Sequence, residues 1–272
     1  MSKIHPTAIV DPLAELADDV EIRAYAVIDG RVTIGAGTVV FSHCALEGHA
    51  MIGAGCRIGP GAYVGLPPQH LANAGIGTST VIDNGVIIRE GAQVHRATKP
   101  GLEFATRVGA RCFMMAGSHV GHDCKVGNDV VMANAVLLGG HCVIGERVFL
   151  GGGVGVHQFV RIGRLAIICG NEAVTRDVVP FAAVRYDGLK GYNAIGCKRS
   201  GMSRDAICAV RAAFRCFHMH RTTPAVIAAI RRDVPLVDEV KEILDFVAEP
   251  SKRGLQPSVR FTKSPDPFGD ED

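Results

Sequence analysis

The chain has 272 residues, 47% of them hydrophobic and 21% charged, which is enough apolar material for a sizeable core and excludes disorder throughout. A formal charge of +2, no Trp and 6% aromatics give neither the basic footprint nor the stacking platforms of a nucleic-acid binder. The opening MSKIHPTAIV lacks the apolar run of a signal peptide, and no stretch approaches the length of a membrane span, so a cytoplasmic protein is expected.

From the N-terminus onward, an aliphatic residue recurs every six positions: Ile4, Val10, Leu16, Ile22, Ile28, Ile34, Val40, Leu46, Ile52, Ile58 and Val64. The register returns at Ile82, Ile88 and Val94, then runs unbroken from Val108 through Met114, Val120, Val126, Met132, Leu138, Ile144, Leu150, Val156, Ile162 and Ile168 to Val174. Four places after each aliphatic position stands a small or β-branched residue, such as Ala8, Val20 or Val130. Cys44, Cys56, Cys112, Cys124 and Cys142 fill the same slot. Two inward side chains per six residues fit short strands joined by tight turns, with Gly, Asp and Asn supplying the turn conformations. Three hexads close one triangular coil, and stacked coils form parallel sheets about 4.8 Å apart. The spacing therefore predicts a parallel β-helix over residues 1–180. The slot cysteines are core packing, since none of the nine lies in a CxxC pair.

Two excursions interrupt the repeat, at 65–81 (GLPPQHLANAGIGTSTV) and 95–107 (HRATKPGLEFATR). A solenoid has no structural need of them, and loops thrown out from a rigid scaffold often carry function. After Pro180 comes an irregular stretch centred on RYDGLKGYN, and residues 181–253 read as a small helical domain. Ser203 caps a helix from Arg204 to His218, Thr223-Pro224 opens a second, and a third covers Val237 to Val247. Residues 254–272, rich in Pro and charge, read as a loose tail.

Residues one coil apart stack, so His122, Gly140 and Gln158 form one column and Asp123 and His141 a neighbouring one, with His157 beside Gln158. His119 lies three residues earlier, expected at the preceding turn. A row of imidazoles suits proton abstraction near neutral pH, and three of them are also a zinc ligand set. No Ser or Cys stands beside a base as a nucleophile, so direct attack by a substrate hydroxyl or amine, activated by His, is the simpler scheme.

The solenoid, H-V-G-H-D-C-K-V-G-N (His119 to Asn128), G-G-H (Gly139 to His141), V-H-Q-F (Val156 to Phe159) and the tail segment S-G-M-S-R-D-A-I (Ser200 to Ile207) resemble the UDP-N-acetylglucosamine acyltransferases that open lipid A synthesis. The resemblance covers about residues 4–250. It implies a mainly β fold, a left-handed parallel β-helix of hexapeptide repeats followed by a small C-terminal α-helical domain, assembled as a homotrimer with clefts between subunits. It implies transfer of a 3-hydroxyacyl group from acyl carrier protein to the 3-OH of a UDP-sugar, with no cofactor beyond the carrier thioester and no metal. By position His122 matches the general base, Asp123 its acidic neighbour, and the Gly140 N–H the oxyanion donor. Gln69, His95, His119, His141, His157 and Gln158 match the substrate cleft. Asn193 and Arg199 match groups near the nucleotide phosphates, and Gly170 a position limiting acyl length. The basic residues Arg204, Arg211, Arg215, His218, His220, Arg221, Arg231 and Arg232 match a docking face for the acidic carrier, although a solvated face would look the same.

Two positions depart from the family pattern: Ala72 stands where a Lys is usual and Ile195 where an acidic residue is usual. These changes leave open an acceptor with an amine at C3. The family's later N-acyltransferase usually carries an extra N-terminal domain, which hexads starting at Ile4 do not lead one to expect. A β-helix carbonic anhydrase with interfacial zinc and a purely structural β-helix are the further alternatives.

Overall fold

The computed structural model describes residues 2–71, 75–186 and 188–258. The hexad rule is visible in every coil. Strands of mostly two residues place one side chain inward, and the slot residue four places on fills the next corner. Met114, Met132, Leu150 and Ile168 stack in one sheet, Val120, Leu138, Val156 and Val174 in the next, Val126, Ile144 and Ile162 in the third, all at most 4% exposed. Cys44, Cys56, Cys112, Cys124 and Cys142 are buried free thiols. Each makes a sulfur hydrogen bond to a carbonyl of the coil above, as Cys124 Sγ does to Gly139 at 3.1 Å and Cys142 Sγ to His157 at 3.2 Å.

Among the described residues the strands form three sheets of 11, 9 and 8 strands, parallel throughout except for the last strand of the first. We call them the first, second and third sheets; the chain visits them in that order in each coil. Register follows the stacking rule: His119 pairs with Leu137, and Leu137 with Gly155. From Arg111 to Asn171 the second residue of every corner has a positive φ, including Asp123 (61°), Ala135 (57°), His141 (62°), Arg147 (55°) and Phe159 (68°). Left-handed backbone favours Gly, Asn and Asp, so the Ala, Arg and Phe corners are set by the ladder on either side rather than by local preference.

Both excursions leave the coil at one corner. The first lies between Tyr63–Leu66 in the second sheet and Ser79–Ile82 in the third; the other lies between Gln93–His95 and Thr106–Val108 in the same two sheets. The ladder closes behind each, pairing Ile52 with Ile82 and Ile82 with Val108.

Four features differ from the sequence reading. The ladder runs past Pro180: Ala182–Arg185 pairs in parallel with Ile167–Ile168 and then takes Gly188–Tyr192 as an antiparallel partner. The stretch read as irregular thus contributes an antiparallel pair of strands. A short helix, α1 (Ala194–Arg199), follows, capped by Asn193, and was not foreseen. His119 belongs to the strand His119–Val120 rather than to a turn. The fourth is Gly254–Ser258 at the start of the expected loose tail. Gly254 O accepts from Asp177 N at 2.8 Å, Gln256 N donates to Asp177 O at 2.8 Å, and Pro257 O accepts from Leu189 N at 3.0 Å. Backbone hydrogen bonding to an exposed edge thus overrides a composition that reads as loose; residues 259–272 lie outside the described residues.

The remaining helices are α2 (Arg204–Met219), α3 (Thr223–Asp233) and α4 (Asp238–Ala248). Ser203 caps α2 by accepting from Ala206 N at 3.1 Å, and α2 buries Ala206, Ala209, Val210, Ala213, Phe214, Cys216 and Phe217. No helix among the described residues is long and apolar enough to cross a membrane.

Candidate active site

The corner between the second and third sheets carries His122–Asp123, Gly140–His141 and Gln158–Phe159 on three successive coils. The ladder fixes these residues directly: His141 N donates to His122 O at 2.9 Å and Phe159 N to Gly140 O at 3.0 Å. Both excursions fold back onto this corner. From the first, the His70 ring meets His122 edge-on with centroids 5.6 Å apart, and Gln69 lines the adjoining cleft. From the other, Thr98 grips Asp123 with its N–H to Oδ1 and its hydroxyl to Oδ2, both at 2.9 Å.

His122 is 8% exposed, and its Nδ1 lies 2.6 Å from Asp123 Oδ2. Burial alone would push the Asp123 carboxyl up, but the hydrogen bonds from His122 and Thr98 outweigh it and hold the group below its ordinary value. An ionised carboxylate only accepts, so His122 Nδ1 carries the proton and the neutral ring keeps its lone pair on Nε2. The ring lies over Gly140: a Cβ there would sit 2.6 Å from His122 Cε1 and 2.7 Å from Nε2. Gly is the one residue that admits the imidazole in this place. Gly139 N and His141 N both donate to the ladder, while no acceptor among the described residues takes the Gly140 N–H.

Around this centre desolvation favours the neutral form of three further histidines. Burial pushes His95, His119 and His141 below the ordinary imidazole value; neighbouring histidines add to this at His95 and His119, and Asp123 opposes it at His141. His95 donates Nδ1–H to the Pro67 carbonyl at 2.6 Å, and its Nε2, like that of His119, is buried without a partner among the described residues. Buried orphan nitrogens beside a cleft leave hydrogen-bonding capacity for something bound there.

Two adjoining hollows serve the corner. A pocket of about 330 Å³ is lined by Gln69, His119, His122, Gly140, His157 and Gln158. A longer, mostly apolar groove of about 600 Å³ runs over the outer face of the second sheet, where Leu137, Gly155 and Ala173 stack above His119. The two share Gln69, His119, Gly139, Val156 and His157. A base, an open N–H and a polar pocket opening into an apolar groove suit transfer of an acyl chain to a polar acceptor.

The structure gathers Gln69, His95, His119, His122, Asp123, Gly140, His141, His157 and Gln158 around this corner. It does not gather the rest. Gly170 sits at the corner between the first and second sheets, against Gly152, and does not line the groove; its stacking column is simply another one. Asn193 spends its side chain on structure, accepting from Gly196 N at 2.9 Å and donating to Leu165 O at 2.8 Å. Arg199 is exposed at the end of α1 and lines neither hollow. Ile195 is 65% exposed on the same helix, and Ala72 lies outside the described residues. On the expected docking face Arg204, Arg211, Arg215, Arg221 and Arg231 are exposed, but Arg232 is paired with Asp233 at 2.7 Å and His218 contacts the Ser258 hydroxyl. Sequence reasoning missed His70, Thr98, Lys252, whose ammonium lies 4.1 Å from the centre of the Phe159 ring, and Arg253, which contacts His157, because none of them lies in the coil register.

His122, Asp123 and His141 also offer three atoms within 4.8 Å of one another, the spacing of a metal set. Of these atoms both Asp123 oxygens are already bonded within the protein, to Thr98 and to His122 Nδ1, while His122 Nε2 keeps its lone pair.

The class that this fold and corner fit is the hexapeptide-repeat acyltransferase. The family model described as "Udp N-acetylglucosamine O-acyltransferase; Domain 2" matches residues 177–256. Among curated relatives, the acyl-[acyl-carrier-protein]--UDP-N-acetylglucosamine O-acyltransferase of Syntrophobacter fumaroxidans is 41% identical, covering 93% of this chain and 99% of its own. That of Sinorhizobium fredii is 36% identical, covering 96% and 98%. The solved UDP-N-acetylglucosamine acyltransferase from Campylobacter jejuni superposes with a TM-score of 0.86 at 31% identity, over 95% of this chain and 100% of that one. The chain belongs to the UDP-N-acetylglucosamine O-acyltransferase family. The mainly β fold of large parallel sheets followed by a small C-terminal helical region is the one that the resemblance implied.

Proposed function

We propose that the chain transfers a 3-hydroxyacyl group from acyl carrier protein to the 3-OH of UDP-N-acetylglucosamine, the first step of lipid A synthesis, in the cytoplasm and as a homotrimer. The observation that carries the mechanism is the His122 ring, oriented by Asp123 and packed against Gly140, whose N–H takes no acceptor among the described residues. His122 Nε2 takes the proton of the sugar hydroxyl as its oxygen attacks the thioester carbon. A C–O bond forms, and the carbonyl electron pair moves onto oxygen, where the Gly140 N–H receives it. Collapse breaks the C–S bond, and the departing thiolate takes the proton back from the imidazolium. No metal or organic cofactor enters this scheme.

Gln69, His95, His119, His141, His157 and Gln158 line the cleft and hold the reactants. The groove takes the acyl chain, with Gly155 and Ala173 leaving it room. Support for assembly comes from the outer face of the first sheet, where Ile87, Phe113, Val131, Phe149 and Ile167 form an apolar column in stacking register. In a trimer Arg199 meets the nucleotide phosphates in a cleft shared with a neighbour, and the exposed arginines of α2 and α3 dock the acidic carrier.

A mass-spectrometric transfer assay tests this. The protein meets UDP-N-acetylglucosamine or its 3-amino analogue with 3-hydroxyacyl carrier proteins of several lengths. Ester product from the ordinary sugar, reduced about 10²- to 10⁴-fold in His122→Ala, is expected. Product from the amino sugar alone moves the acceptor, with Ala72 and Ile195 as the residues to revert; no product from either overturns the reading.

A further inference from the structure

Asp123 fixes one cleft histidine as an acceptor. A second is fixed in the opposite sense by a group that comes from outside the coil. Arg253 Nε donates to the Gln158 carbonyl at 2.9 Å, and its Nη2 lies 2.6 Å from His157 Nδ1. A guanidinium has five N–H donors and no lone pair, so it can only donate. His157 Nδ1 must therefore accept, and the ring proton sits on Nε2. The Gln158 carbonyl also lies 3.3 Å from that Nδ1, but a nitrogen accepting from Arg253 has no proton to give it. His157 lines both the pocket beside His122 and the apolar groove, so its Nε2–H is a donor where the two meet.

The segment that delivers Arg253 is held on both sides of it. Upstream, Glu249 pairs with Arg161 at 2.6 Å. Downstream, Gly254 and Gln256 bond the backbone of Asp177, which is 1% exposed and itself holds Arg161 through N and Nε at 2.8 Å each. Between these anchors Ser251 Oγ accepts from Arg253 N at 3.1 Å and from Gly254 N at 2.8 Å, closing a tight local turn. The guanidinium is thus presented by a braced loop.

We propose that Arg253 is a positioning residue for acyl transfer: it holds His157 as the neutral Nε2–H form, a donor for an acceptor oxygen of the bound acyl group where the groove meets the pocket. This rests on the activity proposed above for the site. Oppositely charged partners then give the cleft two imidazoles in opposite tautomers: His122, with a carboxylate behind it, accepts at Nε2, and His157, with a guanidinium behind it, donates there.

The test is the ¹⁵N spectrum of the histidine-labelled full chain near neutral pH, with His157 assigned by its loss in His157→Gln. The expected wild-type pattern is an unprotonated Nδ1 and a protonated Nε2. In Arg253→Met the pattern shifts toward the other tautomer and kcat/KM falls about tenfold, the scale of one lost hydrogen bond, with Arg253→Lys recovering much of both. A protonated Nδ1 in the wild type overturns the proposal, as does an Arg253→Met protein with unchanged tautomer and kcat/KM. If that variant does not fold, the wild-type spectrum still decides. Should the wild type show the expected tautomer yet fail to acylate UDP-N-acetylglucosamine, the activity reading fails while the assignment of Arg253 to the His157 tautomer stands.

Discussion

Two corners of the same coil have nearly the same backbone and opposite uses. At the corner between the third and first sheets, Arg111 and Asp129 hold the left-handed position at φ 58° and 57°, much as Asp123 and His141 do at 61° and 62° between the second and third. At the former corner the preceding N–H is closed off: Asn128 Oδ1 takes Ala110 N at 2.9 Å and Asn84 Oδ1 takes Ala54 N at 2.8 Å. Its charges are also paired across coils, Arg111 with Asp129 at 2.7 Å. At the active corner the equivalent Gly140 N–H has no such cap among the described residues, and two imidazoles, His122 and His141, stand on successive coils beside Asp123. At the former corner amide side chains cap two of the N–H groups that the ladder leaves over; at the active corner one such N–H stands uncapped among the described residues, with a histidine ring packed against the space that Gly140 provides.

The sharpest way to break this comparison is a matched pair of Gly→Ala changes. Gly140→Ala puts a methyl 2.6 Å from the His122 ring, so the ring must move; Gly152→Ala, at the corner between the first and second sheets, meets nothing closer than Asn134 O at 3.5 Å. Gly140→Ala is expected to lower kcat by about 10³-fold, combining a displaced base with a crowded oxyanion donor. Gly152→Ala is expected to keep full activity, with melting temperature unchanged or slightly raised. Equal losses in the two variants would show that the contact between the His122 ring and Gly140 does not set the active corner apart from an ordinary corner of the coil.

Smaller effects come from the groups behind the base. Asp123→Asn keeps size but offers His122 Nδ1 an amide that can donate as well as accept, so part of the population takes the wrong tautomer. A loss of about 10²-fold in kcat with little change in KM is expected. Thr98→Val removes one of the three bonds that keep the Asp123 carboxyl low, since the Thr98 backbone N–H and His122 remain. The Asp123 value should rise toward that of an ordinary carboxylate, with a kcat loss of about three- to tenfold. Because a lowered carboxylate stabilises the fold only while it is ionised, that stability is present at neutral pH and disappears as pH falls through the folded-state value. Acid unfolding of Thr98→Val should therefore begin at higher pH than in the wild type.

What was legible in the sequence is what the coil period controls. Stepping by coils places His122, Gly140 and Gln158 in one column because the backbone repeats faithfully there, and two inward residues per hexad locate the core for the same reason. The period says nothing about residues that arrive from elsewhere. Thr98 reaches Asp123 only because an excursion folds back, and Arg253 reaches His157 only because a segment beyond α4 pairs with Asp177. Asn193 shows the converse: its side chain matches a binding position by motif, but as the cap of α1 it is occupied by Gly196 N and Leu165 O. Motif matching identifies a residue type; hydrogen-bond accounting decides whether its atoms are free.

The smallest expected effect concerns stability rather than turnover and separates the two corners again. His95, buried, and His119, half-buried, stand beside the active corner and lie below their ordinary values, chiefly through desolvation, whereas the ion-paired corner holds no imidazole. A histidine with a lowered folded value takes up its proton later than the same residue in the unfolded chain. As pH drops below about 6.5, the unfolded state binds more protons than the native state, so stability falls until the folded values are reached. Thermal melts at pH 7.5 and pH 5 should show a lower melting temperature at the acid end. His119→Gln, which keeps a polar side chain without the titration, should narrow that gap while leaving the pH 7.5 value close to that of the wild type. A gap of the same size in wild type and His119→Gln would mean that His119 is not held neutral by burial and that the acid sensitivity originates elsewhere.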